Sequence, residues 1–134
     1  MIVLPLRVLL DENLPTKLKY RFESELFVVT TIRDQNWLGK KNGELLKLML
    51  EKGFQVLVTN DKSIRYQQNT YALPLFILQL NLLSNRYDDI LPQVPRIQHA
   101  LTKMYYDIEN CRFIKNEADQ KRPAYCYIVG EGYF

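Results

Sequence analysis

Asp11 and Asp61 each follow a short apolar run. Leu6-Arg7-Val8-Leu9-Leu10 precedes the first, and Val56-Leu57-Val58-Thr59-Asn60 precedes the second. Runs this short, rich in Val and Leu and followed by polar turn residues, read as strands buried on both faces, as in a parallel sheet. Ligands of open α/β sheets bind outside the carboxyl ends of the strands. Both carboxylates are therefore expected at one crevice, where paired oxygen ligands suit a hard divalent cation. The competing structural role is helix capping. Asn13 is the best-placed cap of the Asp11-Glu12-Asn13 triplet, and Asp61 would cap a short helix after it. Glu12 is either a second ligand or a solvent-facing neighbour.

Other side chains gather around that edge in sequence. Asn42 and Glu44 open a predicted helix before the third strand, so Glu44 either reaches the carboxyl edge or only complements the helix dipole. Arg33 and Asp34 follow the second strand, and Arg33 either pairs with Asp34 or contacts a phosphate. Lys62, Arg65 and Tyr66 follow Asp61 at once; cations and an aromatic beside carboxylates suit a phosphodiester. Their structural alternative is an exposed polar helix. His99, the single histidine, sits on a predicted helix far from the acidic edge and reads as structural. Trp37 reads as a core or loop anchor. The chain has no Gly-rich phosphate loop and no G-x-S-x-G.

The elements that must position these residues follow from the hydrophobic pattern. Strands are expected at Leu6–Leu10, Phe27–Thr31, Phe54–Thr59 and Leu75–Leu80, with further strands at Arg112–Ile114 and Tyr125–Val129. A helix follows the first strand, with Pro15 in its first turn and Leu14, Leu18 and Phe22 on one face. A second runs from an Asn42 cap to about Lys52, with Gly53 just past its end. Residues 62–70 form a short helix or loop, and residues 86–104 are helical with breaks near Pro92 and Pro95. Alternating strands and helices imply a three-layer α/β domain with a mostly parallel sheet.

A chain of 134 residues fits one domain, and 47% hydrophobic with 25% charged residues argues against disorder. A formal net charge of +3 neither identifies nor excludes a nucleic-acid partner. Cys111 and Cys126, the two cysteines, have no metal-finger spacing, and a reducing, cytoplasmic setting with free thiols is the default. The N-terminal apolar run, broken by Pro5 and Arg7, is not a signal peptide, and no stretch is long enough to span a membrane.

Four segments together resemble a group of bacterial PIN-like proteins, often described only as a domain of unknown function and related to the VapC-type toxin ribonucleases. They are Val8-Leu9-Leu10-Asp11-Glu12-Asn13-Leu14-Pro15, Trp37-Leu38-Gly39-Lys40-Lys41-Asn42-Gly43-Glu44-Leu45-Leu46, Thr59-Asn60-Asp61-Lys62-Ser63-Ile64-Arg65-Tyr66-Gln67-Gln68-Asn69, and Asn85-Arg86-Tyr87-Asp88-Asp89-Ile90-Leu91-Pro92-Gln93-Val94-Pro95. The resemblance spans about residues 6–104 and leaves the tail from Tyr105 uncovered. It implies a PIN-like sheet whose acidic residues bind Mg²⁺ or Mn²⁺ and activate water to cleave an RNA phosphodiester. By position, Asp11 matches the first-strand acid, Asp61 the acid after the third strand, and Glu44 the helical acid. Ser63 and Asn42 stand where relatives often carry Asp, so the acidic set is reduced. A toxin role implies a small antitoxin partner, and a homodimer is a further expectation of this class.

Two other functions compete with the ribonuclease. One is a catalytically weakened PIN-like module that binds RNA or a protein. The other is a phosphoacceptor receiver, which also places acids after the first and third strands. A receiver needs a hydroxyl closing the fourth strand, where this chain reads Gln79-Leu80-Asn81.

Overall fold

The computed structural model describes residues 5–61, 75–110 and 126–130. Five strands, β1 (Leu6–Leu10), β2 (Phe27–Thr31), β3 (Val56–Thr59), β4 (Phe76–Asn81) and β5 (Cys126–Gly130), form one sheet in the order β2-β1-β3-β4-β5. Every pairing is parallel. Three α-helices, α1 (Asn42–Glu51), α2 (Tyr87–Ile90) and α3 (Val94–Asn110), and 3₁₀ helices at Thr16–Arg21 and Leu91–Gln93 flank it. The expected three-layer α/β class is the observed one.

Alternation along the strands divides the core in two, because successive side chains leave opposite faces. Leu6, Val8 and Leu10 of β1, Val56 and Val58 of β3, and Phe76, Leu78 and Leu80 of β4 face one side. Leu18 of the first 3₁₀ helix, with Leu14 and Phe22 on either side of it, covers them, as do Val94, Ile97, Leu101 and Met104 from α3. On the other side Leu9, Leu57 and Ile77 meet Leu45, Leu46 and Met49 of α1. Trp37 closes this second cluster, its ring edge-on to Phe54 at 5.9 Å between centroids, so it is the anchor its composition suggested.

Several boundaries differ from the sequence expectation. The first helix is a 3₁₀ segment that begins after Pro15 with no side-chain cap, so Asn13 does not cap it. Asn13 instead accepts from the backbone N–H of Asn60 at 3.5 Å. The α1 cap position is held by Lys41, again without a side-chain cap bond, and Asn42 is the first helical residue. Gly53 ends that helix in the left-handed region, at φ 78°. The expected break in residues 86–104 is the 3₁₀ turn around Pro92, after which α3 runs on to Asn110. Pro95 is tolerated because it sits in the first turn of α3. The expected strand Arg112–Ile114, the segment 62–70 and the thiol of Cys111 lie outside the described residues.

Candidate functional site

β1 and β3 are neighbours in register, Leu10 beside Val58, so the residues after them share the carboxyl edge. This is also where the chain order reverses: from β1 it steps outward to β2, then returns past β1 to β3. Such a switch point opens a crevice between the two loops. Asp11 extends the ladder, its N–H donating to the Val58 carbonyl at 2.9 Å, which fixes the start of its side chain at the strand tip.

Asp11 is only 9% exposed. Its Oδ2 accepts the hydroxyl of Thr59 at 2.6 Å, and its Oδ1 accepts the backbone N–H of Glu12 at 2.9 Å. Burial raises the Asp11 pKa above the ordinary 3.8. The bonds from Thr59 and Glu12 oppose that rise, and the charges of Glu12 and Asp61 add to it. Asp11 is thus a desolvated carboxylate with an acidic neighbour, an arrangement that favours either a proton or a cation beside it.

Thr59 was not marked by sequence reasoning, yet it joins the Asp11 carboxylate to the Asp61 backbone. Fully buried at the end of β3, it donates to Asp11, and its Oγ1 accepts the backbone N–H of Asp61 at 3.0 Å. Asn60 is the second such residue. Its Nδ2 donates to the Leu82 carbonyl at 3.2 Å and to Asn85 Oδ1 at 2.6 Å, while its Oδ1 accepts the Leu82 N–H at 3.1 Å. That clasp ties the β3 tip to the loop after β4. The available signal was the Thr-Asn-Asp run itself: polar side chains at the tip of a buried strand need partners across the sheet.

The other expected site residues are spread out. Glu12 is exposed beside Asp11. Glu44 has a side chain 56% exposed and pairs with Lys40 at 3.4 Å, one turn back along the chain. Arg33 is exposed, and of its two alternative roles the pairing with Asp34 is not formed. Lys19 takes Asp34 instead at 2.7 Å, because the first 3₁₀ helix brings that ammonium to the turn after β2. Asp34 also accepts the N–H of Thr31, closing the end of β2. Lys62 and Arg65 lie outside the described residues, and His99 is exposed on α3.

No protein-family model, curated protein or solved structure matches the chain.

Among the described residues no group of three His, Cys, Asp or Glu side chains converges. Two carboxylates do stand at adjacent strand tips, and a carboxylate offers about four acceptor sites, of which Asp11 uses two. Mg²⁺ keeps several waters and needs only one or two protein carboxylates. Asp11 and Asp61 would be the residues to hold Mg²⁺ or Mn²⁺, with solvent completing the shell. No helix among the described residues is long and apolar enough to cross a membrane.

Proposed function

We propose that the chain is a Mg²⁺- or Mn²⁺-dependent ribonuclease of PIN-like type. The observation that carries this reading is the Asp11–Thr59–Asp61 linkage at the switch point of a parallel sheet. When bound, the ion supplies charge neutralisation for a scissile phosphate and acidifies water. The chain's own residues do the rest. Asp11 and Asp61 would hold the ion, Thr59 ties the Asp11 carboxylate to the Asp61 backbone, and the Asn60 clasp keeps the β3 tip against the loop after β4. A cytoplasmic setting and a small antitoxin-type partner belong to the same proposal.

A catalytically weakened module that binds RNA is the second reading. It is favoured by the position of Glu44, whose pairing with Lys40 on an exposed surface leaves two aspartates as the described metal ligands. Calorimetric titration with Mn²⁺ separates the two: the ribonuclease requires binding by the wild type that is lost in Asp61→Asn. Equal affinity in that variant, or no binding by the wild type, sinks the ribonuclease. RNA binding without Mn²⁺ binding or RNA cleavage selects the second reading.

A further inference from the structure

The 3₁₀ helix Thr16–Arg21 and the start of α2 meet in a cluster the metal site does not use. The Lys17 ammonium lies 4.5 Å from the centroid of the Tyr87 ring, and the Arg21 guanidinium lies 5.9 Å from it. Arg21 Nε also donates to the Tyr87 hydroxyl. Lys17 and Arg21 are exposed, and among the described residues neither has a carboxylate partner. Asp88 and Asp89 follow Tyr87 on α2, exposed, but neither pairs with these cations. Lys19, between them in sequence, differs because Asp34 holds it.

Two cations held on an aromatic face keep their charge while losing freedom, since ring contact attracts a cation without neutralising it. Arg21 spends its Nε on the tyrosine hydroxyl, so its two terminal nitrogens remain for a phosphate. The cluster is close along the chain to the clasp that holds the β3 tip. Asn60, between Thr59 and Asp61, bonds Asn85, and Tyr87 is two residues further on, a reach of at most about 7 Å of chain. Tyr20, 75% exposed on the same 3₁₀ helix, adds an aromatic surface suited to a base.

We infer that Lys17, Arg21 and Tyr87 form a phosphate-binding platform for single-stranded RNA. The inference rests on the ribonuclease reading for its substrate class. It adds which surface carries the strand: one built from the first 3₁₀ helix and α2.

The test is fluorescence anisotropy with a labelled single-stranded RNA of mixed sequence, in EDTA so that no metal-dependent cutting occurs. Wild type, K17A/R21A and the charge-matched control K47A/K52A are compared across a salt series, with folding checked by circular dichroism. The expected result is an affinity loss of at least about tenfold for K17A/R21A, with the salt slope smaller by about 1.4, from two phosphate contacts on a single strand. The control should bind as wild type does, and a duplex of the same sequence should bind more weakly than the single strand. Unchanged affinity and slope in K17A/R21A overturn the inference, as does an equal loss in the control, equal or tighter duplex binding, or no binding by the wild type at low salt. Binding that follows the expected pattern in a protein that never cleaves RNA with Mn²⁺ would remove the ribonuclease reading and leave the platform standing.

Discussion

Replacing Thr59 by Val keeps the size and branching of a side chain with no exposure to solvent, and removes one atom with two partners. Asp11 Oδ2 loses its 2.6 Å donor, and the Asp61 N–H loses its 3.0 Å acceptor. A hydrogen bond to a charged group contributes about 1.5–3 kcal/mol and an ordinary one about 1 kcal/mol. The extra methyl recovers about 0.8 kcal/mol of burial. The net cost at neutral pH is about 2–3 kcal/mol, or roughly a 6–12 °C fall in midpoint for a domain of this size. The charged part of that cost has a definite pH dependence. The Thr59 bond favours the anion of Asp11, so without it the Asp11 pKa rises further above 3.8. The stability gap between wild type and variant therefore widens as pH rises through the interval between the two folded-state pKa values. It narrows at lower pH, where both proteins hold Asp11 protonated. Urea unfolding at a series of pH values, in chelator, measures the gap. A variant as stable as wild type, or a gap constant with pH, refutes the claim that Thr59 supports an ionised Asp11.

Asp11→Asn removes the desolvated charge itself. Because the folded pKa is raised, the stability Asp11 contributes is fully present below 3.8 and is lost as pH rises through the folded value. The variant should therefore gain on wild type across that window, by up to about 1.4 kcal/mol per pH unit, in parallel denaturation series; a fall relative to wild type contradicts it. Asp34 should titrate below 3.8 by carboxyl-carbon NMR, since Lys19 holds its anion, and Lys19→Ala should move it back upward. The Lys19–Asp34 contribution to stability is then present above the ordinary aspartate pKa and disappears as pH falls through the folded one. Gly53→Ala should destabilise by about 1 kcal/mol or more, because φ is 78° and the new Cβ would stand 2.9 Å from the Arg7 guanidinium. A denaturant midpoint equal to wild type would count against that strain. Glu44→Gln should leave Mn²⁺ affinity within about twofold, since Glu44 faces Lys40 on an exposed surface; a tenfold loss in calorimetry would place it in the site.

The strands were legible from short runs rich in Leu and Val: Leu6–Leu10, buried except at Arg7, and the edge strand Phe27–Thr31 both have the expected bounds. Asp11 and Asp61 were legible for the same reason, since each ends such a run. What joins them was not. The Thr59–Asp11 bond links positions 48 apart, and the Asn60–Asn85 bond links positions 25 apart, so both depend on which strands become neighbours. Lys19, and not Arg33, pairs with Asp34, a contact between positions 15 apart that depends on where the segment after β1 packs. Glu44 turned on a similar point. Its place in the first turn of α1 was readable, whereas its direction followed from how Leu45, Leu46 and Met49 settle on the sheet.

The account stands most directly on whether the two strand-tip aspartates cut RNA with a metal. A single-stranded RNA labelled at one end, incubated with Mn²⁺ and wild type, Asp11→Asn or Asp61→Asn, gives the answer on one gel. The account predicts cleavage by the wild type that EDTA abolishes and that falls at least about a hundredfold in each folded variant. Cleavage that survives EDTA, or that either variant retains, would contradict it.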